Sequence, residues 1–207
     1  MRPAVRLSIL IAVLSLGFLF VLPLWSIRLE APQYPEGVSM EIWLTKLSGQ
    51  LDLINALNHY IGMRPIHQEN FPELNLMPWL ILGLIGLGLL VVLFNRRWLL
   101  GIWVIVFGLL IAIGLVDFYR WGYEYGHNLD PRAPIKVPGM AYQPPLIGSK
   151  RLLNFVAHSY PAAGGLIAFG SFVIGTVMLT AECLHARRQK RRCMDIGWKS
   201  RVPVTVP

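Results

Sequence analysis

Four long runs of apolar residues divide the chain into segments of membrane-spanning length and the loops between them. The runs cover residues 4–27, 77–94, 98–118 and 161–184. A transmembrane helix needs about 20 predominantly apolar residues, so each run has roughly the length to cross a bilayer. We therefore predict an all-α membrane protein with four transmembrane helices. Two long loops, 28–76 and 119–160, separate the spans, and a tail of residues 185–207 follows the last span.

The first run also resembles a secretory signal peptide, because Arg2 and Arg6 precede its apolar middle. Its apolar stretch is longer than a signal core, and it ends in Leu24-Trp25-Ser26-Ile27 rather than in small residues at cleavage spacing. A retained helix within residues 1–27 is therefore the favoured interpretation. The turn Arg96-Arg97 between the next two runs is short, so residues 77–118 are expected to form a helical hairpin.

The loops carry patterns of their own. Apolar residues alternate with others from Val38 to Thr45, which predicts a short strand. From about residue 49 the apolar spacing changes to three and four, so 49–62 is predicted to be a short amphipathic helix that Gly62 and Pro65 end. The second loop is rich in Pro and Gly, and beyond Gly126 we expect an ordered irregular structure. The two loops together are expected to form a cap on the helices.

Composition and charge support a membrane protein and give it an orientation. Hydrophobic residues make up 55% of the chain and charged residues only 14%, which argues against a soluble enzyme. The net charge is +8, and Lys and Arg concentrate in the short segments on one side of the predicted spans. By the positive-inside rule that side is cytoplasmic, so both termini are expected inside and the cap in the periplasm. The basic residues of that side are Arg2, Arg6, Arg96, Arg97, Arg187, Arg188, Lys190, Arg191, Arg192, Lys199 and Arg201.

The basic tail 185–207 follows a span directly, where anionic lipid attracts it. We favour that interpretation over nucleic-acid binding, because no nucleic-acid recognition fold accompanies the tail. Asp117 and Glu182 lie near opposite ends of their spans, and we interpret them as interfacial anchors that nearby Arg residues can satisfy. Small residues of the fourth run, including Gly164, Gly165 and Gly175, allow close helix packing.

Soft metal donors gather on the predicted outer side. His59 and Met63 are four residues apart, so one helical face would present both. Imidazole and thioether together suit Cu(I) better than Zn, Mg or Ca. The hypothesis is a copper site, permanent or transient, built from His59, Met63 and His67, with His127 and Met140 supplied by the second loop.

A structural interpretation stands beside the copper hypothesis. Methionine in an apolar helix usually fills the core, and histidine near a membrane interface often only makes hydrogen bonds. The sequence contains no Cys-x-x-Cys, no His-Glu-x-x-His and no Met-x-x-Met repeat. It also lacks a nucleophile elbow, a phosphate loop and a dinucleotide fingerprint, so no enzymatic activity is predicted.

Three stretches of the chain are similar to a known family. They are LEAPQYPEG at residues 29–37, LNHYIGM at 57–63 and YGHNLDPRAPIKVPGMAYQPPLIG at 125–148. They resemble a family of small polytopic membrane proteins associated with bacterial nitrous-oxide reductase accessory gene sets, beside copper chaperones and an ABC-type maturation system. The resemblance implies an inner-membrane protein that helps copper supply or the assembly of a periplasmic copper enzyme. It carries over His59, Met63, His127 and Met140 as candidate residues, without an established ligand role.

The sequence thus predicts a multi-pass protein of the bacterial inner membrane whose periplasmic cap binds copper or contacts protein partners of a copper-enzyme maturation system. A metal-free docking or structural subunit of a larger complex is the first alternative. A small transporter is the second, although the spans lack the polar, helix-breaking interior of a substrate path.

Overall fold

The computed structural model describes residues 1–135, 139, 141–152 and 154–199. Four of its helices are long and apolar enough to cross a membrane, as the apolar runs predicted. The first span consists of helix α1, Pro3–Ser15, and a 3-10 turn, Leu16–Phe20. Helix α2, Leu51–Ile61, is the predicted amphipathic helix. Helices α3, Glu73–Phe94, α4, Arg97–His127, and α5, Ala163–Lys199, contain the other three spans.

The long helices form a closed four-helix bundle. Helix α1 packs against α3 and α5, and α4 packs against the same two helices. Trp103 occupies the centre of the bundle, fully buried, and its indole N–H donates to the carbonyl of Leu84 at 3.0 Å. Gly88 and Gly175 face the Trp103 ring, and a methyl group at either position would collide with it. These two glycines therefore provide the space that the large indole needs inside the bundle.

The prediction of an all-α fold is wrong, because a five-stranded antiparallel sheet covers one end of the bundle. Its strands are β1, Trp25–Ala31, β2, Tyr34–Ile42, β3, Leu47–Gly49, β4, Gly148–Leu152, and β5, Phe155–Pro161, in the order β3-β2-β1-β5-β4. We call this sheet, helix α2 and the adjoining loops the cap. Only the strand predicted at 38–45 had been expected, and it extends from Tyr34 to Ile42.

The first span is shorter than predicted, because the chain enters the sheet before the apolar run ends. The helical part stops at Phe20, and Trp25 and Ile27 belong to β1. In this strand Trp25, Ile27 and Ala31 are buried while Arg28 and Glu30 are exposed, which is the two-residue period of a strand with one covered face. The last residues of this apolar run are therefore a strand, although the composition of the run as a whole is that of a transmembrane helix.

Strands β4 and β5 form part of the loop that was expected to be irregular. Strand β5 pairs with β1, with Ile27 opposite Ser159, and β4 pairs with β5. The indole N–H of Trp25 also donates to the hydroxyl of Ser159 at 2.8 Å. Strand β5 therefore bonds to a partner distant in sequence, and β4 bonds to β5. Local sequence propensity does not reveal such pairing.

The sheet is connected directly to the bundle through backbone contacts. The N–H of Gly164, near the start of α5, donates to the carbonyl of Pro23 at 2.8 Å, and Ala162 donates to Leu24 at 3.1 Å. A methyl group on Gly164 would lie 2.8 Å from the same Pro23 oxygen, so only glycine allows this approach. At Gly164 the predicted close packing is therefore between a helix start and the chain that enters the sheet, whereas at Gly175 it is between helices α5 and α4.

Candidate functional site

A mainly apolar cavity of about 60 Å³ lies inside the cap, between the inner face of the sheet, helix α2 and the last turns of α4. All three layers contribute side chains to its wall. The lining residues are Ile27, Leu29, Met40, Ile54, Asn58, Ile61, Met63, Ile66, Trp121, Gly122, Tyr125, Tyr142, Pro144, Leu152 and Phe155. Two of them, Met40 and Met63, carry thioether sulfur, the only soft donor among the described residues of this wall.

Met40 reaches the cavity through the alternation of strand β2. Val38 and Met40 are buried on the inner face of this strand, at 1% and 2% exposure, and the intervening Ser39 points the other way. Met40 pairs with Ile27 of β1, another residue of the cavity wall. The same alternation is visible in the sequence, so the inward position of Met40 was predictable even though Met40 was not among the candidate ligands.

Met63 reaches the cavity because helix α2 ends two residues before it. Gly62 adopts the left-handed conformation, with φ of 79°, and the N–H of Met63 donates to the carbonyl of Asn58 at 2.9 Å. The chain therefore turns at Gly62 and directs Met63 towards the cavity. His59 lies on the exposed side of α2, whereas the buried residues of that helix are Ile54, Asn58 and Ile61. The single helical face that was to present His59 and Met63 together does not extend to Met63.

The floor of the cavity is aromatic and comes from the end of α4. This helix continues to His127, well beyond the predicted span, so the aromatic residues after Asp117 lie on one helix. The ring centroids of Trp121 and Tyr125 are 5.1 Å apart, and Phe71 packs edge-on against Trp121 at 5.4 Å. The Tyr125 hydroxyl accepts a hydrogen bond from the Asn70 side chain at 3.2 Å. These contacts hold the two rings in fixed positions beside the cavity.

Two buried hydrogen-bond groups at the cavity wall have no partner among the described residues. They are the indole N–H of Trp121 and the hydroxyl of Tyr142, a residue that is only 3% exposed. Buried polar groups in folded proteins are nearly always paired, so each exception calls for an explanation. Both residues belong to the cavity wall, and the structure supplies no partner for either group from the described residues. The site thus combines an apolar wall, two thioethers and two unused donors.

The predicted copper ligands lie in several places. His59 and His67 are exposed on the cap surface. His127 is exposed at the last residue of α4, where its ring stacks on Tyr123 with centroids 3.9 Å apart and its Nδ1 lies 2.9 Å from the Tyr123 carbonyl. Of the four that the structure describes, Met63 alone lines the cavity. Met140 lies outside the described residues. Within the described part of the chain, no three His, Cys, Asp or Glu side chains come close enough to hold a metal ion.

The remaining cap histidine, His158, belongs to a polar group on the outer face of the sheet. Its Nδ1 lies 2.6 Å from the Ser149 hydroxyl, and its Nε2 lies 3.6 Å from a carboxylate oxygen of Glu30. The Tyr160 hydroxyl lies 3.2 Å from Ser149. These residues share the outer face because the register places Ser149 opposite His158 and Glu30 near it. They form a hydrogen-bonded surface group separate from the cavity.

Comparison of the chain with protein-family models and with curated proteins gave no match.

Proposed function

We propose that this chain is a multi-pass accessory protein of the bacterial inner membrane that aids copper supply to, or assembly of, a periplasmic copper enzyme of the nitrous-oxide reductase type. In this proposal the cap faces the periplasm, and Cu(I) is a cargo that the cap receives and passes on. The observation that carries it is the pair of thioethers, Met40 and Met63, in the wall of one apolar cavity.

The chemistry of the cavity suits a soft monovalent cation. Thioether sulfur favours Cu(I), and an apolar wall keeps water away from it. The rings of Trp121 and Tyr125 border the same space, and aromatic faces attract cations. Two thioethers without thiolate or imidazole make a sparse ligand set, so we propose transient binding and transfer rather than storage.

The three stretches that carry the family resemblance meet around this cavity. The first contributes Leu29, the second contributes Met63, and the third contributes Tyr125 and Tyr142. The three stretches are far apart in sequence, but each contributes side chains to the wall of the same cavity. This convergence supports the cavity, rather than the exposed histidines, as the place where the function resides.

Copper binding by the purified protein tests the proposal. The protein in detergent is titrated anaerobically with Cu(I) against a competing chelator, and the bound copper is quantified. We expect wild-type protein and a Met178→Leu control, which changes a methionine of the bundle core, to bind equally. The double variant Met40→Leu/Met63→Leu should lose binding. A triple variant, His59→Ala/His67→Ala/His127→Ala, and Met140→Leu test the other candidate ligands. Unchanged copper stoichiometry in the Met40/Met63 double variant would refute the cavity site.

A metal-free docking subunit is a second candidate function. Exposed apolar side chains on the cap favour it. Tyr60 and Ile135 are both about half exposed and adjacent, since the N–H of Ile135 donates to the carbonyl of Tyr60 at 3.0 Å. Under this alternative, the double variant Tyr60→Ser/Ile135→Ser loses its co-purifying membrane or periplasmic partner, while the Met40/Met63 double variant keeps it.

A further inference from the structure

The end of the bundle opposite the cap contains a buried carboxylate that holds two arginines. The Glu182 side chain, on α5, is fully buried. Its Oε1 accepts hydrogen bonds from the backbone N–H and from Nε of Arg2, both at 3.1 Å. Its Oε2 accepts from Nε of Arg97 at 3.1 Å. One carboxylate thus ties the residue before α1 and the first residue of α4 to α5.

The contacts with Glu182 leave the two arginines with a surplus positive charge and with N–H donors that Glu182 does not bind. One carboxylate balances one of the two guanidinium groups. Among the described residues, the ion pairs of Arg2 and Arg97 are those with Glu182. Each guanidinium carries five N–H donors, and among the described residues only its Nε is bonded, to Glu182. The two arginine side chains are 47% and 43% exposed, and their positions are fixed by the buried carboxylate.

The location of this pair indicates which anion it meets. Arg97 lies three residues after Phe94, at the exposed apolar end of α3 where Leu93 and Phe94 would contact lipid chains, and it directly precedes the exposed Trp98. Tryptophan of this kind is enriched at the level of lipid headgroups. Planar guanidinium groups at that level match the geometry of a phosphate, which they bind through paired N–H donors.

We propose that Arg2 and Arg97, positioned by Glu182, bind the phosphodiester headgroup of an anionic membrane lipid. Glu182 orients the pair and does not contact the lipid. The site prefers an anionic headgroup such as phosphatidylglycerol over phosphatidylcholine, because choline places a cation beside surplus positive charge. This assignment is independent of copper and of the cap cavity.

Native mass spectrometry of the full chain in detergent tests the site. The protein is delipidated and titrated with short-chain phosphatidylglycerol or phosphatidylcholine. We expect one phosphatidylglycerol to bind preferentially, and Arg97→Gln to weaken it about tenfold, since a hydrogen bond to a charged group contributes about 1.5 kcal/mol or more. The matched control is Arg96→Gln, which removes the neighbouring exposed arginine and should leave binding unchanged. If Arg97→Gln does not fold, Arg97→Lys replaces it, because lysine keeps the charge but lacks the planar fork.

Three results would overturn the lipid assignment. Equal weakening by Arg96→Gln and Arg97→Gln would show diffuse attraction to a basic surface. Equal binding of phosphatidylcholine would remove the headgroup preference. Displacement of the lipid by millimolar inorganic phosphate would assign the arginine pair to a free anion rather than to a membrane lipid.

Discussion

At the scale of the residue, Gly62 sets the turn by which the chain reaches Met63 of the cavity wall. It ends α2 in the left-handed conformation, and a methyl group there would lie 2.9 Å from the Asp130 carbonyl and 2.9 Å from the Ala133 side chain. The N–H of Asp130 in turn donates to the Gly62 carbonyl at 2.8 Å. Gly62 therefore joins the end of α2 to the loop that follows α4.

We expect Gly62→Ala to lower the stability of the cap by about 1–3 kcal/mol, because alanine at positive φ is strained and the neighbouring backbone cannot move away cheaply. The measurement is thermal unfolding in detergent. Gly86→Ala, in open space on α3, is the control and should leave stability unchanged or slightly higher. Equal melting temperatures for the two variants would contradict the described turn.

The Tyr142 hydroxyl provides a second test at the residue scale, since it is buried beside the cavity without a hydrogen-bond partner among the described residues. We expect Tyr142→Phe to change stability by less than about 0.5 kcal/mol in the metal-free protein, because no hydrogen bond is lost. Tyr125→Phe removes the bond from Asn70 and should cost about 1 kcal/mol. A large loss in Tyr142→Phe, measured in the same unfolding experiment, would mean that the hydroxyl has a partner.

At the scale of elements, the strands show where sequence reasoning succeeds and fails. Helix α2 was predictable from its local spacing of three and four, and the four spans were predictable from apolar runs of membrane-spanning length. Strand β5 was missed because its partner, β1, lies at the other end of the chain, and β4 was missed because its one partner among the described strands is β5. Strand β1 was hidden inside an apolar run, although its alternation from Trp25 to Ala31 was readable.

The residues of the candidate site likewise include one that the sequence predicted and others that it did not. Met63 was chosen from its spacing to His59 and does line the cavity, but it does so because Gly62 ends the helix. Met40, Trp121 and Tyr142 come from three separate elements, and only the fold brings them together. A cavity between a sheet that was not predicted and a helix end could not be derived from the chain alone.

The register of β5 can be tested by placing a charge on either face of the strand. Ala157 is fully buried on the inner face, opposite Leu29, whereas Val156 lies on the outer face, opposite Glu30. Ala157→Lys should destabilise the cap by several kcal/mol, because an unpaired charge would enter the apolar interior. Val156→Lys should be tolerated. Limited proteolysis of the cap distinguishes the two, and equal protease resistance would mean that the strand does not have this register.

At the scale of the whole molecule, the fold separates two environments. One end holds the sheet, the cavity and the thioethers, and the other holds Glu182 with its two arginines. The bundle between them is apolar on its outside, with exposed residues such as Leu82, Ile105 and Val173 along three different helices. Lipid is the surrounding that makes such a surface stable, so the two ends are expected on opposite sides of a bilayer.

Cysteine labelling in intact cells tests this arrangement and the orientation proposed from charge. Cys183 is exposed on α5 near the basic end, and Ser149 is exposed on β4 of the cap. Two variants are compared, and both carry Cys193→Ser. The first also carries Cys183→Ser and Ser149→Cys, so its only cysteine lies in the cap. The second keeps Cys183 as its only cysteine. A membrane-impermeant maleimide should label the cap cysteine in cells whose outer membrane has been permeabilised, and Cys183 only after the inner membrane is lysed. Labelling of both before lysis would contradict a spanning bundle.

The reverse order of labelling would be compatible with the bundle but would place the cavity in the cytoplasm. A cytoplasmic cavity could not serve a periplasmic enzyme directly. The copper proposal would then fail, whereas the fold and the lipid site would still stand.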